Sequence, residues 1–113
     1  FVLYSGNDDA ILPILSVGGS GVISVWANIQ PRLVHELVTT FEQGNLRRAQ
    51  QIQLTALPLI HALFSETNPI PIKAAMEMMA LPSGALRLPL VPLSEDKRGV
   101  LQELLPMKGR EQV

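Results

Sequence analysis

The chain contains no cysteine, which excludes disulfides, thiolate metal ligands and a cysteine nucleophile. Aromatic side chains are scarce, with one Trp, one Tyr and three Phe, and 9 Lys+Arg against 10 Asp+Glu leave a formal net charge of -1. There is neither stacking surface nor a basic field for nucleic acid, so that partner is not expected. Long apolar runs are missing too. The stretches 10–17 and 54–64 are short and broken by Pro13, Pro58 and polar residues, so no membrane span is expected. No basic segment precedes an apolar one at the N-terminus, which leaves a secretory leader unsupported. A phosphate-cradling loop is also absent, because Gly18-Gly19-Ser20-Gly21 precedes an apparent strand rather than a helix. What is present, 47% hydrophobic and 17% charged residues, suits one packed domain rather than a disordered tail.

Phe1 to Tyr4 is a continuous apolar run closed by Ser5-Gly6-Asn7, the pattern of a strand buried on both faces. Asp8 and Asp9 then stand where a helix N-terminus favours negative charge, and Pro13 fits only in that helix's first turn. Gly18-Gly19 stops the helix. Gly21-Val-Ile-Ser-Val25 predicts a second strand without polar alternation, again as in a parallel sheet. Asn28 to Pro31 carries turn chemistry, and Leu33, Val34, Leu37, Val38 and Phe41 recur at helical spacing up to Gly44. The order is β-α-β-α. Two strands alone do not make a covered parallel sheet, and Phe1 is not Met, so a chain preceded by further βα units is expected.

From Asn45 the pattern turns wholly helical. A helix over 46–64 is predicted, with Leu46, Ala49, Ile52, Ala56, Leu57, Ile60, Leu63 and Phe64 near one face, and Pro58 either kinks it or ends one helix and starts another. Asn68-Pro-Ile-Pro71 is expected to be extended, with Pro71 opening a helix through Leu81. The prolines of Leu86 to Pro92 exclude a central strand. Ser94 with Glu95 and Asp96 starts a last helix to about Leu104, followed by a frayed tail from Pro106 to Val113.

Tyr4-Ser-Gly-Asn-Asp8, Gly21-Val-Ile-Ser-Val25 with Ala27-Asn28, Asn68-Pro-Ile-Pro-Ile-Lys73 and Leu86-Arg-Leu-Pro-Leu90 occur in this order. Together they resemble the dihydrodipicolinate synthase family over about residues 3–104. The resemblance implies an α/β fold, the C-terminal part of a TIM (β/α)8 barrel. Residues 1–44 would be the last two βα units and residues 45–113 a C-terminal helical domain.

It further implies a lyase of lysine and diaminopimelate biosynthesis, cytoplasmic and homotetrameric, that condenses pyruvate with aspartate semialdehyde. In that family a barrel lysine forms a Schiff base with pyruvate, and a tyrosine on an earlier strand relays protons. Both are expected before Phe1. Lys73, Lys97 and Lys108 fall on predicted helices or the tail, and Tyr4 is not at the family's catalytic position. No catalytic residue, metal or separate cofactor is therefore expected within this segment, which alone is expected to be inactive. Related Schiff-base barrels, N-acetylneuraminate lyase and the 2-keto-3-deoxy-sugar acid aldolases, are disfavoured by the Gly21–Val25 and Asn68–Pro71 forms. A non-catalytic helical assembly module is the alternative of another class.

Barrel chemistry sits at the C-terminal ends of the strands, which singles out Gly6, Asn7 and Asp8 after the first strand as substrate-binding candidates. Against this stands the plainer view that Gly6 makes a turn and the carboxylates cap a helix. The family usually has Asp where Asn7 stands. Ile23, within the second strand, is implied by the resemblance to wall the pocket beside the pyruvate-derived carbons; ordinary core is its plainer role. Trp26 replaces the family's usual small residue and is expected to reshape the mouth or meet a neighbouring subunit. His35 is expected on an exposed helix face, His61 as a hydrogen-bonded structural residue, Met76, Met78 and Met79 in packing or a subunit contact, and Arg47-Arg48 on a solvated face.

Overall fold

Prolines, glycines and one asparagine set most of the element boundaries. The computed structural model describes residues 1–82 and 84–106, so the expected tail from residue 107 onward lies outside the described residues. Strand β1 (Tyr4–Ser5) leads through a 3-10 turn (Asp8–Ala10) into α1 (Ile11–Ser16). Strand β2 (Gly21–Val22) leads through a second 3-10 turn (Trp26–Asn28) into α2 (Pro31–Glu42). Helices α3 (Leu46–Leu63), α4 (Ile70–Met78) and α5 (Glu95–Leu104) complete the order. Residues Phe1–Leu57 and Pro58–Val113 form two compact units, divided within α3 at its internal proline.

In the first unit β1 and β2 pair in parallel, Tyr4 with Gly21 and Ser5 with Val22. Flanking bonds, Ser20 N–H to the Leu3 carbonyl at 2.8 Å and Ile23 N–H to the Ser5 carbonyl at 2.9 Å, extend the ladder at each end. Both strands are shorter than the apolar runs suggest. Phe1, Val2, Leu3 and Tyr4 are exposed rather than buried on two faces, because each strand has one neighbour among the described residues. The α1 helix ends where Gly18 takes a φ of 97° and the Gly19 N–H returns to the Ile14 carbonyl at 2.8 Å.

Pro31 opens α2 at a position whose missing N–H breaks no helical bond. Val34 and Leu37 on its inner stripe are buried, and Gly44 at φ 79° closes it. Asn45 then caps α3, its Oδ1 accepting the Arg48 N–H at 3.2 Å. The buried stripe of α3 in this unit is Ala49, Ile52, Gln53 and Ala56, whereas Leu46 is exposed. Gln53 is the polar member.

In the second unit Leu59, Ile60 and Leu63 are buried and Phe64 is partly exposed. Residues 68 and 69 form a turn rather than an extended segment, with the Ile70 N–H bonded to the Thr67 carbonyl at 2.9 Å. Helix α4 consequently starts one residue before Pro71 and buries Ile70, Pro71, Ile72, Ala74 and Ala75. It packs with α5, on which Leu101 is fully buried. Lys97 joins α5 to the segment after α3, donating to the Ser65 carbonyl at 3.0 Å beside Glu66. Ser94 stands at the N-cap position without a side-chain cap bond; its N–H donates to Glu66 Oε2 at 3.2 Å.

Helix α4 ends earlier than Leu81, because Ala80 turns to a φ of 58° while the Leu81 N–H closes onto the Met76 carbonyl at 2.8 Å. Left-handed backbone at an alanine carries the Cβ clash that glycine lacks. Ala80→Gly is therefore expected to stabilise this helix end by about 0.5–1 kcal/mol, read as a higher denaturation midpoint in urea. A lower midpoint would show that glycine's extra freedom in the unfolded chain outweighs the relieved clash.

Candidate functional site

The loops that follow the two strands meet at one end of the sheet, and their residues sort by burial. Ser5, the last residue of β1, is buried and folds its hydroxyl over the next turn. Its Oγ donates to the Asn7 carbonyl at 2.8 Å and accepts the Asn7 N–H at 3.2 Å. This short double contact fixes the loop so that Gly6 and Asn7 stand out into solvent. A Cβ placed on Gly6 would meet nothing within 4 Å, and its φ lies outside the left-handed range. The chain itself therefore has no conformational need for glycine at this position.

Asp8 is the residue whose placement departs most from the expectation of a mouth-facing side chain. It is 0% exposed. One carboxylate oxygen accepts a hydrogen bond from the Ser24 hydroxyl, and the other accepts the Val25 and Trp26 N–H groups, each at 3.0 Å. The Ser24 Oγ in turn accepts the Ala27 N–H at 2.8 Å. Three consecutive backbone donors at the start of the second 3-10 turn are thus satisfied by two side chains. The physical reason for the burial is this convergence of donors, which offsets the cost of removing a carboxylate from water.

Gln53 holds the other side of Asp8. Its Nε2 donates to the Asp8 carbonyl at 3.0 Å and its Oε1 accepts the Leu12 N–H at 3.1 Å. Sequence reasoning passed over both Ser24 and Gln53. The available signal for Gln53 was a lone amide within the apolar stripe of Ala49, Ile52 and Ala56.

Ile23 occupies the opposite lip and is 72% exposed. Its N–H bond to the Ser5 carbonyl is the last rung of the ladder, and the parallel register continued by one residue sets it beside Gly6. Gly6, Asn7 and Ile23 are thus brought together on the exposed lip, whereas Asp8 lies beneath it. Trp26 lies inward as well, fully buried with its Nε1–H donating to Gln30 Oε1 at 2.7 Å. It neither lines a mouth nor offers a surface to another subunit, because the 3-10 turn carries the ring under the strands' end.

The remaining candidates lie elsewhere. His35 is exposed on α2, and His61 is exposed on α3 rather than held in the interior. Arg47 is exposed, but Arg48 bonds Glu36 on α2 through Nε at 2.7 Å, which raises its guanidinium above the ordinary value. A pair this open to solvent, with each side chain about a third exposed, contributes little to stability. Lys73 on α4 donates to the Ala85 carbonyl at 2.5 Å, Lys97 is on α5, and Lys108 lies outside the described residues. Met76, Met78 and Met79 are half-buried in or just beyond α4. Among the described residues no group of three or more His, Cys, Asp or Glu is arranged to hold a metal ion, and no helix is long and apolar enough to cross a membrane.

Parallel strands joined through helices, with the exposed lip at the strands' C-terminal ends, define an α/β protein built from βα units. Within that class the chain belongs to the dihydrodipicolinate synthetase family, whose sequence model matches residues 1–108. It is 51% identical over 109 residues to the 4-hydroxy-tetrahydrodipicolinate synthase of Acetivibrio thermocellus. To that of Caldicellulosiruptor bescii it is 53% identical over 103 residues. These alignments cover 96% and 91% of the chain but 37% and 35% of the relatives, so the chain spans little more than a third of their length. The crystal structure of dihydrodipicolinate synthase from Thermotoga maritima superposes with a TM-score of 0.90 at 44% identity, covering 92% of this chain and 35% of that one. A structure of a monomeric dihydrodipicolinate synthase variant gives a TM-score of 0.89 at 44% identity, covering the same shares.

Proposed function

We propose that these residues are the last two βα units of a TIM barrel with its C-terminal helical extension. The whole enzyme would condense pyruvate with aspartate semialdehyde through a lysine Schiff base to give 4-hydroxy-tetrahydrodipicolinate. The observation that carries this reading is the exposed lip of Gly6, Asn7 and Ile23 at the C-terminal ends of parallel strands, where barrels of this kind do their chemistry. Gly6 keeps the backbone open to substrate on a side where its own chain places no atom within 4 Å. Ile23 supplies an apolar wall that keeps water from the bound pyruvate carbons, and Asn7 offers an amide to the entrance.

The Schiff-base lysine and the proton-relaying tyrosine lie on other strands of the barrel, and this segment alone is inactive. The enzyme works in the cytoplasm as a homotetramer without a separate cofactor. Exposed apolar side chains of the second unit, Leu88, Val91 and Val100 among them, are consistent with subunit contacts.

The test is borohydride trapping of the full-length protein with pyruvate, joined to product analysis. A covalent adduct in the full-length protein, none on residues 1–113 alone, and turnover with aspartate semialdehyde are expected. Efficient condensation with a sugar aldehyde instead of aspartate semialdehyde would overturn the substrate assignment. An adduct on the short chain would overturn the placement of the lysine.

A further inference from the structure

Resting on that reading, we infer that Asp8 is a positioning residue that acts on the substrate through Ile23, with Gln53 as its buttress. The carboxylate is not a ligand for substrate, since it is fully buried and its oxygens are taken by Ser24, Val25 and Trp26. What it controls is the point at which the second strand stops. Ile23 is the last residue held by the ladder, and the following residue is already tied to Asp8. The Ile23 side chain therefore sits between two fixed points, the Ser5 carbonyl and the Ser24 hydroxyl.

Asp8 is itself anchored at its carbonyl by Gln53, which also holds the Leu12 N–H at the start of α1. A continuous polar line thus runs from α3 through the first loop to the second. The exposed lip rests on a polar platform made of buried Ser5, Asp8 and Gln53 with half-buried Ser24. Loosening the platform would leave every lip residue present but would let the Ile23 wall drift relative to Gly6, and displacement of about 1 Å is enough to cost a large factor in rate.

The experiment compares Asp8→Asn, Ile23→Ala and the double variant in the full-length enzyme. Pyruvate KM and kcat are measured per borohydride-trapped site, so that unfolded protein does not count. Asp8→Asn is expected to raise the pyruvate KM about tenfold, and Ile23→Ala by a similar factor. The double variant is expected to be no worse than Ile23→Ala alone, because a residue that acts through Ile23 has nothing left to position. Multiplying effects, or a wild-type KM in folded Asp8→Asn, would overturn the positioning role.

Should Asp8→Asn fail to fold, Ser24→Ala serves in the same cycle. It leaves the carboxylate and its two backbone bonds in place, and a rise in KM of about threefold is expected. A Ser24→Ala variant with wild-type KM, or one whose effect multiplies with that of Ile23→Ala, overturns the proposal equally. Absence of any adduct in the wild-type enzyme would instead sink the pyruvate reading itself, and the positioning role with it.

Discussion

Replacing Trp26 with alanine is expected to lower the stability of the first compact unit by about 3–5 kcal/mol. The indole is the largest fully buried side chain, and its removal forfeits both the transfer energy of the ring and the contacts of the cavity left behind. Part of the loss comes from Gln30, whose Oε1 accepts the indole N–H at 2.7 Å and would have to find water instead. Trp26→Phe separates the two contributions. It keeps most of the apolar volume and gives up the hydrogen bond, for an expected loss of about 1–2 kcal/mol. Urea denaturation followed by far-UV circular dichroism measures both, with the slope unchanged if only the native state is affected. A loss below about 1 kcal/mol for Trp26→Ala would mean that the ring is not part of the core.

The second large effect is expected at Asp8. Asp8→Ala removes the acceptor for two backbone N–H groups and one hydroxyl in a site largely shielded from solvent. Each buried donor left without a partner costs about 1–3 kcal/mol, so the loss should reach about 3–5 kcal/mol after water regains part of it. Asp8→Asn retains a carbonyl oxygen for the Val25 and Trp26 N–H groups and turns its amide toward Ser24 Oγ, which can accept. The backbone donors stay paired, but the bond that ties Ser24 to the first loop loses its charged acceptor and must reverse, so the strand end is held more loosely at a cost of about 1–2 kcal/mol. The gap between the two variants, read by the same urea titration, is the informative quantity. If alanine and asparagine destabilised equally, the backbone donors would be finding other partners and the carboxylate would not be holding the turn.

Local signals were legible in the sequence and distant ones were not. Asn45 announces the start of α3, Pro31 the start of α2, and Gly44 its end, because each acts on the backbone within a few residues of itself. The alternation of strand and helix, and the exposed standing of Gly6 and Asn7 beyond the first strand, follow from the same local grammar, whereas an exposed Ile23 within an apolar run does not. Asp8 does not. Its partners are 16 to 18 residues away, and a carboxylate after a glycine turn reads as solvated until the donors it meets are known.

Trp26 was misplaced for a related reason. A bulky residue just past a strand end can project outward or fold beneath, and the choice depends on the 3-10 turn that Asp8 and Ser24 set up. Strand length failed differently. A run of apolar residues states what a strand prefers, but the ladder extends only as far as a hydrogen-bonding neighbour accompanies it.

Trp26 is also the one tryptophan in the chain, and it sits two residues beyond Ser24 with its indole shielded and its nitrogen engaged. The molecule accordingly carries an intrinsic optical probe at the base of the loop that bears Ile23. Its emission should lie toward the blue in the native state and move red when that loop lifts. Opening of that loop can thus be followed in real time without a label or an added chromophore.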